Sequence, residues 1–461
     1  MPVPTPDYPR PPVRRRRKKK TKMQIFKETY LPLVVLVGIV LLIIGIIVGC
    51  VKLSNRAKLR KAEQESSLAA QQEAERLAQE TAERGKKLLP EAERLAAQYD
   101  YDGAIALLTA FDGDASLVPG MSDAIESYRT AKNALVLWED VGTIPHISFQ
   151  ALIAKPTLAF ASGRGDRYRT NHVTVDEFSA ILQALYDNGY VLVRLSDVAP
   201  SVAKGSSSRF EAGQIYLPLG KKPLVLSQLP VNYGFPTGHG FAARLTVGAD
   251  GRPTAEYVNS AGVSETGAYD LVPLLDQFID EHPDFSYRGA KAILAFTGSE
   301  GVLGYQTQPS AKDALGEEAY AQEVAAAQKT AQALIADGYT LACFSYDYVA
   351  DGNVSADEIT DDLASWAAEV EPVVGKTDVM FYYSGSDISG AAEYSGSRYD
   401  ALYRAGFRYF CGLDNERTSW LQITNEYVRQ DRRTVNGSRL TESPELVADL
   451  FDASQVVSKD R

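Results

Sequence analysis

Between Leu31 and Val51 the chain reads LPLVVLVGIVLLIIGIIVGCV, 21 positions without a charge. At 1.5 Å per helical residue that run spans about 30 Å, the thickness of a bilayer's hydrocarbon, so a transmembrane helix is predicted. From Ser54 to about Lys87 the pattern becomes Ala, Glu, Gln, Lys and Arg with no Gly or Pro before Gly85, the recipe for an exposed helical stalk over 52–87. Residues 88–140 carry apolar positions at i, i+3 and i+4 in two segments, which predicts a helical hairpin. From Gly142 onward, short apolar runs alternate with longer helical ones, the order that β/α units produce around a parallel sheet or barrel. IPHISFQALI, YVLVRL, KPLVLS, AKAILAFTG, TLACFS, DVMFYY and FRYFCG mark off seven strands. The helix after the first has Thr174 as N-cap, Glu177 as its capping-box partner and a stop at Asn188 and Gly189. This α/β domain covers 143–452, with a tail at 453–461.

Charge sharpens the picture. Residues 1–30 hold ten Lys or Arg against Asp7 and Glu28, which leaves the remaining chain with 38 basic and 57 acidic side chains. So acidic a balance argues against nucleic acid as partner, since phosphate binding needs clustered Lys and Arg. The run RRRRKKK at Arg14–Lys20 is instead a basic cytoplasmic tail, and by the positive-inside rule it places everything after about residue 52 outside the cell membrane. IVGC at Ile47–Cys50 resembles a lipoprotein cleavage box, but the long apolar run and a 49-residue leader favour a retained single-pass anchor. Cys343 and Cys411 are separated by further strand and helix units, so free buried thiols are expected rather than a disulfide.

Two strings carry a family resemblance. Lys222–Tyr233 reads KPLVLSQLPVNY and Leu341–Tyr348 reads LACFSYDY. Both resemble motifs of the polysaccharide deacetylase family (carbohydrate esterase family 4, NodB-homology fold). Its first motif is a buried strand ending Ser/Thr-Phe-Asp-Asp, with one aspartate as general base and the next as metal ligand. Its second, His-Ser/Thr-x-x-His, supplies two imidazoles to the metal. Here Leu229 and Pro230 stand at the aspartate positions, and Phe344 and Tyr348 at the histidine positions. FSAILQALYDNGYVLVRLSDV, DVMFYYSG and FRYFCGLDN with Trp420 are similar to further family segments over roughly 143–452. Gln150 stands where related exported members have a histidine, and Tyr383 at a proline position. The resemblance implies an irregular (β/α)7 barrel with its site at the C-terminal mouth.

Hydrolysis of an N-acetyl group in that family needs a metal-bound water, a base and an imidazolium acid. Leu229 and Phe344 offer no side-chain lone pair, Pro230 only its carbonyl, and Tyr348 a neutral phenol, which is a poor zinc ligand. No catalytic or metal-binding residue and no cofactor is therefore expected. The mouth retains Gln228, Tyr233, Tyr346, Tyr383, Asp414 and Trp420, with His239 in a nearby Gly-rich loop, as candidate ligand-binding residues. Aromatic and amide side chains suit the apolar faces and hydroxyls of sugars. The reading is an exported glycan-binding or scaffolding protein of the cell envelope, with cell-wall glycan or exopolysaccharide as partner and an envelope protein as a second partner through the hairpin. The competing reading is an active N-deacetylase whose zinc or other divalent metal is held by other residues. Asp347–Glu358 matches a calcium loop at Asp347, Asp351, Gly352 and Glu358, although Val349 breaks it and it follows a strand rather than a helix. His146 is expected in the core, His172 in a loop and His282 as an exposed cap. GRGD at Gly163–Asp166 reads as a loop turn, and Ser384, Ser386 and Ser389 as turn residues.

Overall fold

The computed structural model describes residues 21–205, 207–459 and 461. They fall into two compact units that divide between Ala82 and Glu83; the basic run at 14–20 lies outside the described residues. The apolar stretch and the Ala/Glu/Gln-rich one belong to a single helix, Leu31–Lys86, all but its last turn in the first unit. Its apolar part has a mean hydropathy of 3.4 and is long enough to cross a membrane.

The second unit begins with three helices where the sequence suggested two. Leu89–Ala97 and Tyr101–Thr109 are separated because Tyr99 takes a left-handed φ of 64° and the Asp100 carboxylate caps the next helix by accepting from the Gly103 amide at 3.1 Å. Met121–Asn133 follows. A lone hairpin cannot bury its own face. The Tyr99 hydroxyl accordingly donates to the Asp284 carbonyl at 2.8 Å, and the Arg288 amide donates to the Gln98 carbonyl at 2.7 Å.

Seven parallel strands close into a barrel: β1 His146–Phe149, β2 Lys222–Gln228, β3 Ile293–Phe296, β4 Thr340–Cys343, β5 Val379–Phe381, β6 Tyr409–Leu413 and β7 Val428–Thr434. β7 pairs with β1, and β2 with β3, which completes the ring. The strand count matches the expectation, but the membership differs. Tyr190–Leu192 lies beside the first half of β2 and bridges to Ser286, outside the closed ring. The closing strand is VRQDRRT, where four charges in seven positions hide a buried strand.

Because side chains alternate across each strand, the barrel has two layers of core. Val225, Ile293, Ala295, Ala342, Phe344, Phe381 and Cys411 fill the interior, while Leu226, Leu294, Phe296, Leu341, Met380 and Phe410 pack outward against the helices. Thr174 and Glu177 form the expected capping box, as do Ser355 and Glu358 on the helix Ala356–Glu369. Ala453 and Val456, beyond the boundary drawn from the sequence, are buried in the outer layer. Cys343 and Cys411 are buried free thiols on β4 and β6, with β5 between them.

Candidate functional site

At the upper end of β2 the alternation sends Ser227 and Leu229 inward and Gln228 outward. His146 Nε2 and Ser227 Oγ are hydrogen-bonded at 3.0 Å inside the barrel, and burial lowers the imidazole pKa to about 3. Leu229, 6% exposed, joins Phe344, 5% exposed, in the interior apolar cluster. The Tyr383 ring meets Phe344 edge-on at 5.7 Å and Tyr348 at 5.4 Å. The Tyr348 hydroxyl donates to Glu300 Oε2 at 3.2 Å, and burial raises that phenol's pKa, so it stays neutral. The four motif positions thus hold two buried apolar side chains, a proline and a phenol.

Gln228 and Tyr233 serve a different centre. Gln228 Nε2 donates to Asp270 Oδ1 at 2.8 Å, the Tyr233 hydroxyl donates to Oδ2 at 2.5 Å, and the Leu152 amide donates to Oδ1 at 2.9 Å. Asp270 is fully buried and desolvation raises its pKa against the pull of these bonds. It ties the segment after β2 to the helix Leu271–Glu281, which it precedes as N-cap. Asp362 does the same for the loop after β4. Its carboxylate accepts from the Ser345 hydroxyl at 3.2 Å and from the amides of Tyr346 and Asp347 at 2.8 and 2.9 Å. Sequence reasoning missed both aspartates. Asp362 had a signal, since it lies on the apolar stripe of its helix beside Ile359, Leu363 and Trp366.

These loops are strained. Tyr233, Ser345, Tyr348 and Ser384 all take φ between 51° and 64°, a region that costs a non-glycine residue about 1–3 kcal/mol and persists only where the surroundings hold it. Val349 donates its amide to Ser345 Oγ at 2.7 Å, which is part of that hold. Two of the four, Ser345 and Tyr348, lie within the second motif string.

Beside the plugged mouth lies a cleft of about 240 Å³, lined by Gln150, Tyr168, His172, Pro230, Asn232, Tyr233, Glu300 and Tyr348, with Arg164 and Arg167 at its edge. His172, placed in a loop by the sequence, is buried. Its Nδ1–H donates to the Ala151 carbonyl at 2.8 Å, and burial lowers its pKa to about 4. His239 sits behind this wall, its Nδ1 3.3 Å from the Tyr168 hydroxyl. Tyr346 is turned away, its hydroxyl on Glu369. Asp414 and Trp420 line a separate recess of about 200 Å³ with Asp387, Arg429 and Asp431. There the Arg429 guanidinium lies 4.8 Å from the centre of the Trp420 indole and pairs with Asp387 at 2.8 Å. Asp431 is pushed up to about 6 by burial and by Asp387 and Asp414. The candidate ligand residues are thus divided between two recesses and the packing around them.

The donors at the mouth do not fit a divalent metal of the zinc type, which takes imidazole, thiolate or carboxylate ligands. Among the described residues no group of three or more His, Cys, Asp or Glu converges in a metal-binding arrangement. In the loop 347–358, Glu358 is committed to the Ser355 cap and Asp351 is buried with its pKa raised to about 8, first by desolvation and then by Asp362 and Asp387.

No family model matches the chain, and no curated protein does. Among solved structures, the deacetylase PplD of Streptococcus pyogenes, in complex with acetate, has 14% identity over 69% of this chain and 99% of that one, with a TM-score of 0.35. A polysaccharide deacetylase of Bacillus cereus has 12% identity over 70% of both chains, also at 0.35. The chain folds as a closed parallel (β/α)7 barrel, the fold that the two motif strings imply.

Proposed function

We propose that this chain is a membrane-anchored glycan-binding protein of the cell envelope, built on a deacetylase-type barrel that no longer hydrolyses. The observation that carries the reading is the apolar plug: Leu229 and Phe344 are buried against the barrel's interior core where a base and a metal ligand would have to stand. Amide hydrolysis at neutral pH needs an activated water and a proton donor for the leaving amine. His146 and His172, with pKa values lowered to about 3 and 4, are both neutral at pH 7 and cannot serve as that acid. What remains is recognition. Tyr168, Tyr233 and Tyr348 give the cleft ring surface, and Gln150 gives it an amide, the combination that pairs with a sugar's C–H faces and hydroxyls. The apolar helix supplies the anchor, with its basic flank cytoplasmic and the barrel outside, and residues 52–140 act as stalk and spacer.

The test uses the full chain in detergent micelles with acetylated chito-oligosaccharides, reading saturation-transfer NMR for binding and enzymatic assay of acetate for turnover. Binding with no acetate above a protein-free control is expected. Acetate release that depends on added metal would establish the deacetylase reading instead.

A further inference from the structure

We infer that the cleft selects glycans bearing a carboxylate, with Arg164 and Arg167 as the residues that read the charge; this rests on the glycan-binding reading above. The two arginines flank the start of a short helix, Gly165–Asn171, whose position is fixed. A Cβ on Gly165 would meet the Phe160 carbonyl oxygen at 2.2 Å, so only glycine allows this approach. Tyr168 is buried against Phe241, with ring centres 4.9 Å apart, and the Arg461 guanidinium donates to the His172 carbonyl at 2.8 Å. The scaffold, not a free loop, sets the backbone from which the exposed side chains of Arg164 and Arg167 extend.

Their neighbours are neutralised and they are not. Arg169 pairs with Asp166 at 3.4 Å, and Arg461 with Glu177 at 2.5 Å. Among the described residues, neither Arg164 nor Arg167 forms a hydrogen bond or ion pair with a carboxylate. In a chain with 59 acidic and 48 basic side chains, two unpaired guanidiniums at one cleft mark that edge for an anion. A guanidinium presents parallel N–H donors that match the two oxygens of a carboxylate.

The rest of the cleft suits the remainder of a sugar ring. Asn171 offers both a donor and an acceptor, and His172, neutral and donating through Nδ1, keeps its other ring nitrogen as an acceptor. Glu300, held by the Tyr348 hydroxyl, accepts from hydroxyls and repels a carboxylate, so the ligand's charged group is directed to the arginines. The volume of about 240 Å³ lies below the ~300 Å³ where pockets for drug-sized ligands begin, and corresponds to one ring of a polymer rather than several.

The experiment is calorimetric titration of the full chain in lipid nanodiscs with a galacturonic acid trimer and with neutral N,N′,N″-triacetylchitotriose. The acidic trimer is expected to bind at least roughly tenfold more tightly, less so at high salt. R164Q/R167Q should remove roughly tenfold or more of that affinity and weaken the neutral sugar by a clearly smaller factor, while R164K/R167K should restore part of it. Equal binding of the two sugars, or an acidic trimer indifferent to R164Q/R167Q, overturns the inference and leaves the glycan reading standing. Failure of both sugars to bind overturns both.

Discussion

Replacing Leu229 by Asp reinstates the residue type that the resemblance places at this position, and the structure fixes what that should cost. Leu229 is 6% exposed within a cluster that includes Ile293, Ala295, Phe344 and Phe381. Losing a buried leucine forfeits about 1.5–3 kcal/mol. The new carboxyl would also sit in an apolar site, where desolvation raises its pKa well above the unfolded value of about 3.9. Arg432, the buried cation over the Phe381 ring of the same cluster, is already bonded to the carbonyls of Cys411 and Gly412. A folded pKa above the unfolded one means the folded state binds more protons, so the variant's stability falls as pH rises between the two values. The deficit against the parent should therefore widen by up to about 1.4 kcal/mol per pH unit while pH lies between those two values, which reaches about 2.7 kcal/mol from pH 5 to pH 7 for a folded pKa above 7. Urea unfolding of the full chain in micelles, followed by tryptophan fluorescence with Trp366 buried as reporter, measures it. A deficit near zero, or one that does not change with pH, would show that the mouth is polar and wet, and the plug argument would fail.

Two further substitutions probe the supports of the site. Asp351 carries a pKa raised to about 8, so it is protonated in the fold at pH 7 and erodes stability as pH rises from about 4 toward 8; D351N should gain on the parent steadily over that window, and denaturation midpoints that track each other from pH 5 to 8 would count against it. G165A drives a methyl into the Phe160 carbonyl and should cost about 1–3 kcal/mol in the same assay, whereas an unchanged midpoint would mean the helix before Asn171 shifts freely.

Much of the architecture was legible in the chain. The alternation of apolar runs with helical segments marked six of the seven barrel strands, and Thr174 with Glu177 announced a helix start that the structure contains. The seventh strand was hidden because its arginines are buried by pairing: Arg433 with Asp449 at 2.8 Å, Arg429 with Asp387 at 2.8 Å, and Arg432 on backbone carbonyls. Charge content reads as exposure, and partners distant in sequence are invisible to it. The motif strings located the mouth, but a string lists neighbours without their faces. Gln228 adjoins Leu229 in the chain and points the opposite way, to Asp270. Asp270 itself lies 42 residues from Gln228, so nothing local announced it. Arg164 was set aside as part of a turn, and Arg167 passed without notice, because only the fold brings their helix to the same cleft as Tyr348 and Glu300.

The central claim is that the barrel's mouth has no side chains able to grip a divalent cation. Mass-spectrometric metal content of the full chain, incubated with excess zinc and then dialysed exhaustively, tests it most directly. The account predicts far less than one zinc per chain. One retained zinc per chain, lost on substituting residues around Pro230 and Tyr348, would contradict it.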